Sequence, residues 1–172
     1  KGDKVLDLGC GSGKLTAALK NHFEADIAGI DIIDLRTERS FPFKVFNGKK
    51  IPFADNFFDA VFISYVLHHS DDPISLLKEA VRVSQKRVII FEDLPENVFS
   101  DFLCRIHKIT FNGIFNSKRE KYFKESTFKT KKQWENIFKM LNLRIIFQKK
   151  IKYDLHWIYP VERRSFVLDK IK

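Results

Sequence analysis

The sequence predicts an α/β fold whose sheet is mostly parallel. Short apolar segments that favour strands alternate along the chain with helical segments, and this alternation is typical of strand–helix–strand units. In addition, residues 4–16, KVLDLGCGSGKLT, place an apolar strand, a glycine-rich loop and a helical segment in direct succession. That order is typical of a loop that binds a nucleotide at the carboxyl edge of a parallel sheet.

The spacing of the glycines narrows the kind of ligand. Gly9, Gly11 and Gly13 form Gly-x-Gly-x-Gly, which differs from the G-x-G-x-x-G of dinucleotide sites, and the chain contains no G-x-x-x-x-G-K-[ST] phosphate loop. A turn without a ligand is the alternative interpretation, but such a turn needs only one glycine, and each further glycine costs conformational entropy. We therefore expect a loop that a nucleotide-type ligand approaches closely.

A carboxylate follows the second predicted strand. The first helix is predicted over residues 14–22 and the second strand over 25–30. Asp31 then stands at the strand end, roughly 20 residues beyond the glycine loop, where ribose-binding carboxylates occur. Its oxygens can accept hydrogen bonds from both ribose hydroxyls. Alternatively Asp31 caps a turn, and Asp34 competes for the ribose. We favour Asp31 because it directly follows the strand.

The next two strands are predicted over residues 44–46 and 58–64. The second of them is almost wholly apolar, which predicts a central strand covered on both faces. Before them, residues 33–42 are too few for a crossover helix, since a crossover normally takes at least about 10–12 residues with its helix. We expect an irregular loop there and a pocket that is more open on this side.

A further helix and a fifth strand follow. Asp72 and Pro73 are a cap residue and an early proline, and they predict a helix that runs to about Val83. The fifth strand is predicted over residues 88–91 and ends at the acidic pair Glu92 and Asp93. The side chains expected on the buried side of the helix are Ile74, Leu77, Ala80 and Val81.

Composition bounds the class of protein. The 172 residues, 44% hydrophobic and 31% charged, predict one globular domain. Because the chain starts directly before its first strand, we expect a native N-terminal segment to be missing. No apolar segment approaches the roughly 20 residues of a membrane span, and no signal peptide is apparent. Two cysteines make no disulfide framework, so we expect a cytoplasmic protein.

The formal charge of +9 allows two interpretations. Lysines and arginines can neutralise the phosphates of a nucleic acid, or they can reflect a compositional bias that also explains the 18 phenylalanines. Only residues 117–132 are densely basic, with aromatic residues among them. Methylation of RNA through this segment is therefore an alternative function that we do not favour.

Five motifs in order carry a family resemblance. They are VLDLGCGSG at 5–13, GIDI at 29–32, IPFADNFFDAVF at 51–62, LHH at 67–69 and LLKEAVRV at 76–83. The chain resembles the small-molecule, type 11-like class I S-adenosylmethionine-dependent methyltransferases. The resemblance implies a Rossmann-like sheet of seven strands with helices on both faces and an antiparallel last strand, for which residues 143–152 and 165–169 supply the sixth and seventh strands.

The resemblance also implies a set of cofactor contacts. Asp7 is expected beneath the methionine amino group, Asp31 at the ribose hydroxyls, Ile32 against the adenine and Ser64 near the methionine. Asn47 stands where relatives usually have an aspartate for the adenine amino group, and an amide oxygen can also accept that bond. The implied residues for S-adenosylmethionine, with S-adenosylhomocysteine as product, are Asp7, Gly9, Cys10, Gly11, Asp31, Ile32, Asn47, Gly48 and Ser64.

Methyl transfer from a sulfonium is an in-line displacement, and it needs a base only when the nucleophile carries a proton. His69 is the first candidate for that base, with Glu92 and Asp93 behind it, since all three follow strand ends. The alternative is that His68 and His69 are structural, one packed under the next helix and the other capping it. We expect no metal, because two adjacent histidines cannot form a tetrahedral site alone.

The acceptor is expected to be a small or lipid-like molecule. The chain has no Asn/Asp-Pro-Pro-Tyr/Phe tetrapeptide after the fourth strand, which the family links to nitrogen methylation of adenine or glutamine. It also has no Pro-Cys nucleophile, which the family links to carbon methylation of cytosine. Cys104 is expected to be a buried apolar residue. Residues 96–141, with helices near 98–109 and 130–141, are expected to form an insert over the substrate mouth. A non-catalytic cofactor-binding module is a further alternative, and the oligomeric state is left open.

Overall fold

The computed structural model describes residues 2–97, 99–104, 106, 128–152 and 161–171. The strands are β1 (Lys4–Leu8), β2 (Asp26–Asp31), β3 (Phe43–Val45), β4 (Phe58–Ser64), β5 (Ser84–Leu94), β6 (Leu143–Ile151) and β7 (Glu162–Lys170). The helices with described bounds are α1 (Lys14–Phe23), α2 (Pro73–Val83) and α3 (Lys131–Met140). A 3-10 turn, Leu67–His69, follows β4.

All seven strands belong to one sheet in the order β3-β2-β1-β4-β5-β7-β6. Neighbouring strands are parallel from β3 to β5, whereas β7 runs antiparallel to both β5 and β6. The predicted α/β fold with a mostly parallel sheet and an antiparallel last strand is confirmed. Because β2, β1, β4 and β5 are parallel neighbours, the loops at their carboxyl ends meet at one edge.

The core lies on the central strands. Leu6 and Leu8 of β1 and Val61 and Ile63 of β4 are completely buried, and burying one such side chain stabilises the fold by about 1.5–3 kcal/mol. As predicted, β4 is a central strand, paired with β1 on one side and β5 on the other. This rigid centre supports the loops at the carboxyl edge.

The helix α2 begins where the sequence predicts. The Asp72 side chain accepts a hydrogen bond from the Ser75 N–H at 3.0 Å, and Pro73 occupies the first turn. The buried face is partly different from the predicted one, because Ile74 and Val81 are only half-buried. The buried residues of the helix are Pro73, Leu76, Leu77, Ala80 and Val83.

The fifth strand is longer than predicted. The prediction placed it over residues 88–91, whereas β5 spans Ser84–Leu94, so Glu92 and Asp93 lie within the strand rather than after it. The reason is pairing with β7, which runs alongside β5 from Arg87, opposite Asp169, to Leu94, opposite Glu162. Because β7 is so distant from β5 in the sequence, the polar residues at the two ends of β5 give no local indication that they belong to a strand.

The connection between β2 and β3 has no helix, as predicted. Residues 33–42 form bends and fold back over the glycine loop, where the N–H groups of Thr37 and Glu38 donate to the Ser12 carbonyl at 2.9 and 3.1 Å. The strand that follows, β3, begins one residue earlier than predicted. Its position at the sheet edge explains its short length, since it pairs only with β2.

The predicted insert at 96–141 falls largely outside the described residues, as does most of the basic segment 117–132. Within the described part, residues 99–104 and 106 are helical, and Cys104 is completely buried as expected. Thr130 and Gln133 form a capping box that starts α3, close to the predicted bounds. Within the described ranges, no helix combines the length and apolarity that a bilayer crossing requires.

Arg82 at the end of α2 holds the long loop between β3 and β4. Its guanidinium donates to the carbonyl oxygens of Ile51 and Phe53, both at 2.9 Å, and to Asp55 at 2.7 Å. Glu79 also accepts from it at 2.7 Å. The planar fork of an arginine makes these contacts together, which a single ammonium group cannot do. This loop also carries Asn47 and Gly48, so Arg82 supports one side of the pocket.

We predict that Arg82→Lys lowers the free energy of unfolding by about 1–3 kcal/mol, because buried carbonyl acceptors lose their donor. Urea unfolding followed by circular dichroism measures the change. The matched control is Arg87→Lys, where the guanidinium is about half exposed and pairs with Asp169 alone; its effect should stay within about 0.5 kcal/mol. Equal losses in the two variants would contradict the role given to Arg82.

Candidate functional site

A cavity of about 980 Å³ opens at the carboxyl edge of the sheet. Its wall has one part that follows β1, β2 and β3, and a second part that comes from the ends of β4 and β5 and the start of β7. The first part includes Gly9, Gly11, Asp31, Ile32, Asn47 and Gly48. The second includes Ser64, Tyr65, His68, His69, Asp93 and Arg163. Most of the predicted site residues are thus brought to one cavity.

The glycine loop is tied to the end of β2 through its backbone. The N–H groups of Gly9 and Cys10 donate to the Ile30 carbonyl at 2.7 and 3.1 Å. The Gly11 N–H donates to Oδ2 of Asp31 at 2.9 Å, and the Ile32 N–H donates to Oδ1 at 2.7 Å. Each carboxylate oxygen has two acceptor positions, so each retains one for a ligand hydroxyl. Of the two aspartates that the sequence offers for a ribose, Asp31 lies on the cavity wall and Asp34 does not.

Gly9 and Gly11 differ in what surrounds them. Both have a left-handed backbone, with φ of 79° and 53°. A Cβ on Gly9 would lie 2.4 Å from a methyl of Val66, whereas a Cβ on Gly11 would meet nothing within 4 Å. Gly9 therefore allows the loop to pack against the end of β4, and Gly11 leaves open space on the cavity wall that a ligand can fill.

Asp7 lies behind the glycine loop and does not form part of the cavity wall. It is 2% exposed, and the Thr16 hydroxyl of α1 donates to it at 2.5 Å. Burial raises the pKa of Asp7 to about 6, with a hydrogen bond from Thr16 opposing and the charge of Asp31 adding to the rise. Asp7 thus joins β1 to α1, and its expected place beneath the methionine amino group stays a prediction.

Cys10 is buried and does not line the cavity. Its sulfur packs against the strand beside Gly29, where an added Cβ would lie 2.9 Å from the sulfur. Burial, together with the charges of Asp7 and Asp31, raises the pKa of the thiol to about 12. The thiol is therefore neutral at physiological pH and does not act as a nucleophile.

Asn47 lies on the cavity wall, but its side-chain oxygen is already engaged. It accepts from the N–H groups of Lys49 and Lys50, both at 3.0 Å, and an amide oxygen has only two lone pairs. The expected hydrogen bond from an adenine amino group to this oxygen is therefore not supported by the geometry. Ile32 and Gly48 lie next to each other on the cavity wall, since a Cβ on Gly48 would lie 3.2 Å from Ile32.

The two histidines after β4 have different surroundings. Nδ1 of His68 lies 2.5 Å from Oε2 of Glu92, and Oε1 of Glu92 accepts the Leu67 N–H at 2.9 Å. Glu92 is 1% exposed and does not line the cavity, so the structure places it behind His68 rather than in contact with a ligand. His69 lies on the cavity wall, half-buried.

An ion pair forms the far side of the cavity. Nε of Arg163 lies 3.1 Å from Asp93, and the guanidinium lies over the Tyr65 ring at 5.5 Å. Burial raises the pKa of Asp93, and the opposing charges of Arg163 and His68 do not cancel the rise. Arg163 was not predicted from the sequence. Its only local signal is a pair of arginines before the predicted seventh strand, and arginines in such a place are more often exposed to solvent.

Among the described residues, no three side chains of His, Cys, Asp or Glu gather in a way that could hold a metal ion. The carboxylates of the site are instead occupied by backbone N–H groups, a hydroxyl, an imidazole and a guanidinium. The arrangement is suited to binding a ligand with a hydroxylated ring and to proton transfer near the histidines.

A family model described as "Methyltransferase domain" matches residues 6–91, half of the chain. The chain belongs to this family. The resemblance to class I S-adenosylmethionine-dependent methyltransferases is thereby confirmed, and the matched residues contain the glycine loop, Asp31 and the two histidines.

Curated relatives match the same half of the chain. A demethylmenaquinone methyltransferase from Corynebacterium urealyticum is 38% identical over 87 residues, which are 49% of this chain and 38% of that protein. A 27-O-demethylrifamycin SV methyltransferase from Amycolatopsis mediterranei is 28% identical over 94 residues, covering 48% and 35%. The matched part of the chain thus spans less than two fifths of either relative.

Among solved structures, the geranyl diphosphate C-methyltransferase from Streptomyces coelicolor A3(2), crystallised with Mg²⁺, geranyl diphosphate and S-adenosyl-L-homocysteine, has a similar fold. The TM-score is 0.74 at 12% identity, with 98% of this chain and 73% of that chain covered. This similarity extends into the second half of the chain and shows that the described residues there share the fold of that protein.

We predict different outcomes for alanine at the two glycines. Gly9→Ala combines a left-handed backbone with a clash and should lower the free energy of unfolding by about 2–5 kcal/mol, whereas Gly11→Ala carries only the backbone cost of about 1–2 kcal/mol. The two variants are matched controls, since each changes the unfolded chain in the same way. Urea unfolding of both tests the prediction, and a larger loss for Gly11→Ala would contradict it.

We predict that Asp7 makes stability depend on pH. Because folding raises its pKa from 3.8 to about 6, the folded state holds its proton more tightly, and the contribution of Asp7 to stability is greatest below pH 4 and is lost as the pH rises through 6. The loss amounts to about 3 kcal/mol by linkage. Asp7→Asn removes this titration, so the stability of the variant relative to the wild type should improve between pH 4 and pH 7.

Urea unfolding at several pH values measures this difference, with Asp26→Asn on the exposed start of β2 as the control. Only the change with pH is diagnostic, since the amide also alters the hydrogen bond to Thr16. A constant difference between the wild type and Asp7→Asn across this range would contradict the raised pKa.

Proposed function

We propose that this protein is an S-adenosylmethionine-dependent methyltransferase that acts on a small or lipid-like acceptor. The observation that carries the proposal is the carboxylate of Asp31. Two backbone N–H groups, of Gly11 and Ile32, hold it on the cavity wall beside the glycine loop. A carboxylate fixed in this way is pre-organised to accept the two hydroxyls of a ribose.

The other residues of the first part of the cavity fit the rest of the cofactor. The surface that Ile32 and Gly48 share on the cavity wall suits one face of a planar base, and the open space at Gly11 suits a chain that passes close to the backbone. Ser64 at the end of β4 stands between this part and the histidines. When bound, S-adenosylmethionine supplies a methyl group on a positively charged sulfur, which a nucleophile can displace.

The acceptor follows from the second part of the cavity and from the relatives. Tyr65, His68 and His69 present aromatic rings there, and aromatic rings bind planar molecules well. The relatives are named for demethylmenaquinone and for 27-O-demethylrifamycin SV. We therefore propose a quinone-like acceptor or one with a comparable hydroxylated ring.

Two alternative functions make different predictions. An RNA methyltransferase would use residues 117–132, of which only 128–132 are described, and none of the described contacts favours it. A non-catalytic module would bind the cofactor without transferring its methyl group. Calorimetry with the cofactor, followed by an assay of methyl transfer, separates the module from the enzyme. Weak RNA binding that does not change with salt would speak against the RNA enzyme.

We predict that Asp31→Asn weakens the binding of S-adenosylhomocysteine at least about tenfold, because the amide nitrogen cannot accept a hydroxyl and replaces a charged acceptor. Isothermal titration calorimetry measures the dissociation constant. The control is Asp34→Asn, since Asp34 pairs with Arg36 outside the cavity wall, and it should bind like the wild type.

A second ligand sharpens this experiment. The 2′-deoxy analogue of S-adenosylhomocysteine lacks one hydroxyl, so it should bind the wild type more weakly. Its affinity should also fall by a smaller factor in Asp31→Asn than the affinity of S-adenosylhomocysteine does. An equal loss for both ligands would mean that Asp31 acts on the glycine loop alone. No binding of either ligand to the wild type would overturn the proposed function.

A further inference from the structure

The turn after β4 is fixed to β5 at two adjacent points. Glu92 of β5 receives the Leu67 N–H on one oxygen and contacts Nδ1 of His68 with the other. All three residues are buried. A buried carboxylate with both oxygens engaged in this way cannot turn toward another partner without leaving a buried donor unsatisfied.

The His68 ring is also held by its faces. It stacks on Phe128, with centroids 4.5 Å apart and an angle of 15° between the rings, and the His69 ring lies 4.1 Å away. The imidazole is 2% exposed and still forms part of the cavity wall. Its position and its plane are therefore set before any ligand binds.

A carboxylate on Nδ1 determines which nitrogen can take a proton. Nδ1 carries hydrogen and donates to Glu92, so in the neutral ring Nε2 is the basic atom. His69 follows on the same turn, where its N–H donates to the Val66 carbonyl at 2.9 Å. The buried pair of His68 and Glu92 is an arrangement that orients a base.

We propose that His68 is the catalytic base of this site, that Glu92 is its positioning residue, and that the acceptor is a molecule whose nucleophile carries a proton, such as a ring hydroxyl. This inference rests on the proposed function, and it assigns to His68 the role that the sequence suggested for His69. A nucleophile that carries no proton, such as the ring nitrogen of a pyridine, needs no base and would give the pair of His68 and Glu92 no part in the reaction.

The transfer step balances as follows. The acceptor oxygen forms a bond to the methyl carbon, the bond between that carbon and sulfur breaks, and its electron pair stays on sulfur. The hydroxyl proton passes to Nε2 of His68, so the positive charge of the donor ends on the imidazolium, which Glu92 stabilises. The imidazolium then returns its proton to solvent.

Several charged groups face the imidazole. Glu92 and Asp93 lie on β5, Arg163 on β7 pairs with Asp93 at 3.1 Å, and His69 lies on the same turn. Burial lowers the pKa of His68, but the charge and hydrogen bond of Glu92 and the charge of Asp93 outweigh burial and raise it above the usual value. His68 is neutral only above this raised pKa, so methyl transfer should increase as the pH rises through it.

Nuclear magnetic resonance of the imidazole groups tests the pair without an acceptor. In ¹⁵N-labelled protein, the resonances that disappear in His68→Gln identify His68, and His22→Gln, an exposed position on α1, is the control. We expect His68 to titrate above an ordinary histidine and to carry its proton on Nδ1 when neutral. In Glu92→Gln its pKa should fall, because the charge is gone. A His68 that does not respond to Glu92→Gln overturns the proposal.

An assay of methyl transfer to 1,4-dihydroxynaphthalene, in which the release of S-adenosylhomocysteine is measured, tests the catalytic role of His68. His68→Gln should lower kcat by about 10²–10⁴-fold, the usual contribution of a base, with little change in the Kd of S-adenosylhomocysteine. Glu92→Gln should lower kcat and move the pH profile, and Glu92→Asp should restore part of both. A structural role alone would not move the profile.

Three results separate this inference from the proposed function. Loss of activity in His69→Gln with normal activity in His68→Gln overturns the assignment of the base. Transfer to pyridine, whose nitrogen carries no proton at neutral pH, but not to 1,4-dihydroxynaphthalene, overturns the acceptor class while the methyltransferase stands. Failure of the wild type to bind S-adenosylhomocysteine overturns the proposed function itself, whereas the titration of His68 still reports on the pair.

Discussion

The cavity depends on the attachment of the glycine loop to the end of β2. Gly9 and Cys10 share the Ile30 carbonyl, and Gly11 donates to Asp31. These bonds satisfy backbone groups that would otherwise face the interior, and they hold the loop open at the point where α1 begins. The same carboxylate that fixes the loop also lies on the cavity wall, so the loop and this part of the wall form together.

Buried carboxylates along the carboxyl edge are stabilised in different ways. Asp31 is held by two backbone N–H groups, Glu92 by an N–H and an imidazole, Asp93 by a guanidinium, and Asp7 by a hydroxyl alone. An ionised carboxylate is costly to bury unless it is paired or hydrogen-bonded. The difference explains why the pKa of Asp7 rises to about 6 and why this residue, with one neutral partner, is the least suited to carry a permanent charge.

Local patterns predicted the elements whose cause is local. The apolar run of β4, the cap of α2 at Asp72 and the helix-free segment 33–42 all follow from short stretches of sequence. The length of β5 does not, because its ends pair with β7, which lies some 70 residues later in the chain at the Asp93 and Arg163 pair. The contacts of Asn47 could not be predicted from the sequence either. Its side-chain oxygen is occupied because the turn that follows brings the N–H groups of Lys49 and Lys50 to it.

The sequence by itself determined the fold class, the family, the glycine loop and the place of Asp31 at the end of β2, because these rest on residue types at short and characteristic spacings. Only the tertiary structure decided that Glu92 pairs with His68 rather than lining the cavity, that Asp7 lies behind the loop, and that Arg163 reaches Asp93. Side-chain direction along a strand alternates from residue to residue, so a difference of one position moves a group from the cavity to the interior. Which of the two a residue faces depends on strand register, and that is set by partners far away in the sequence.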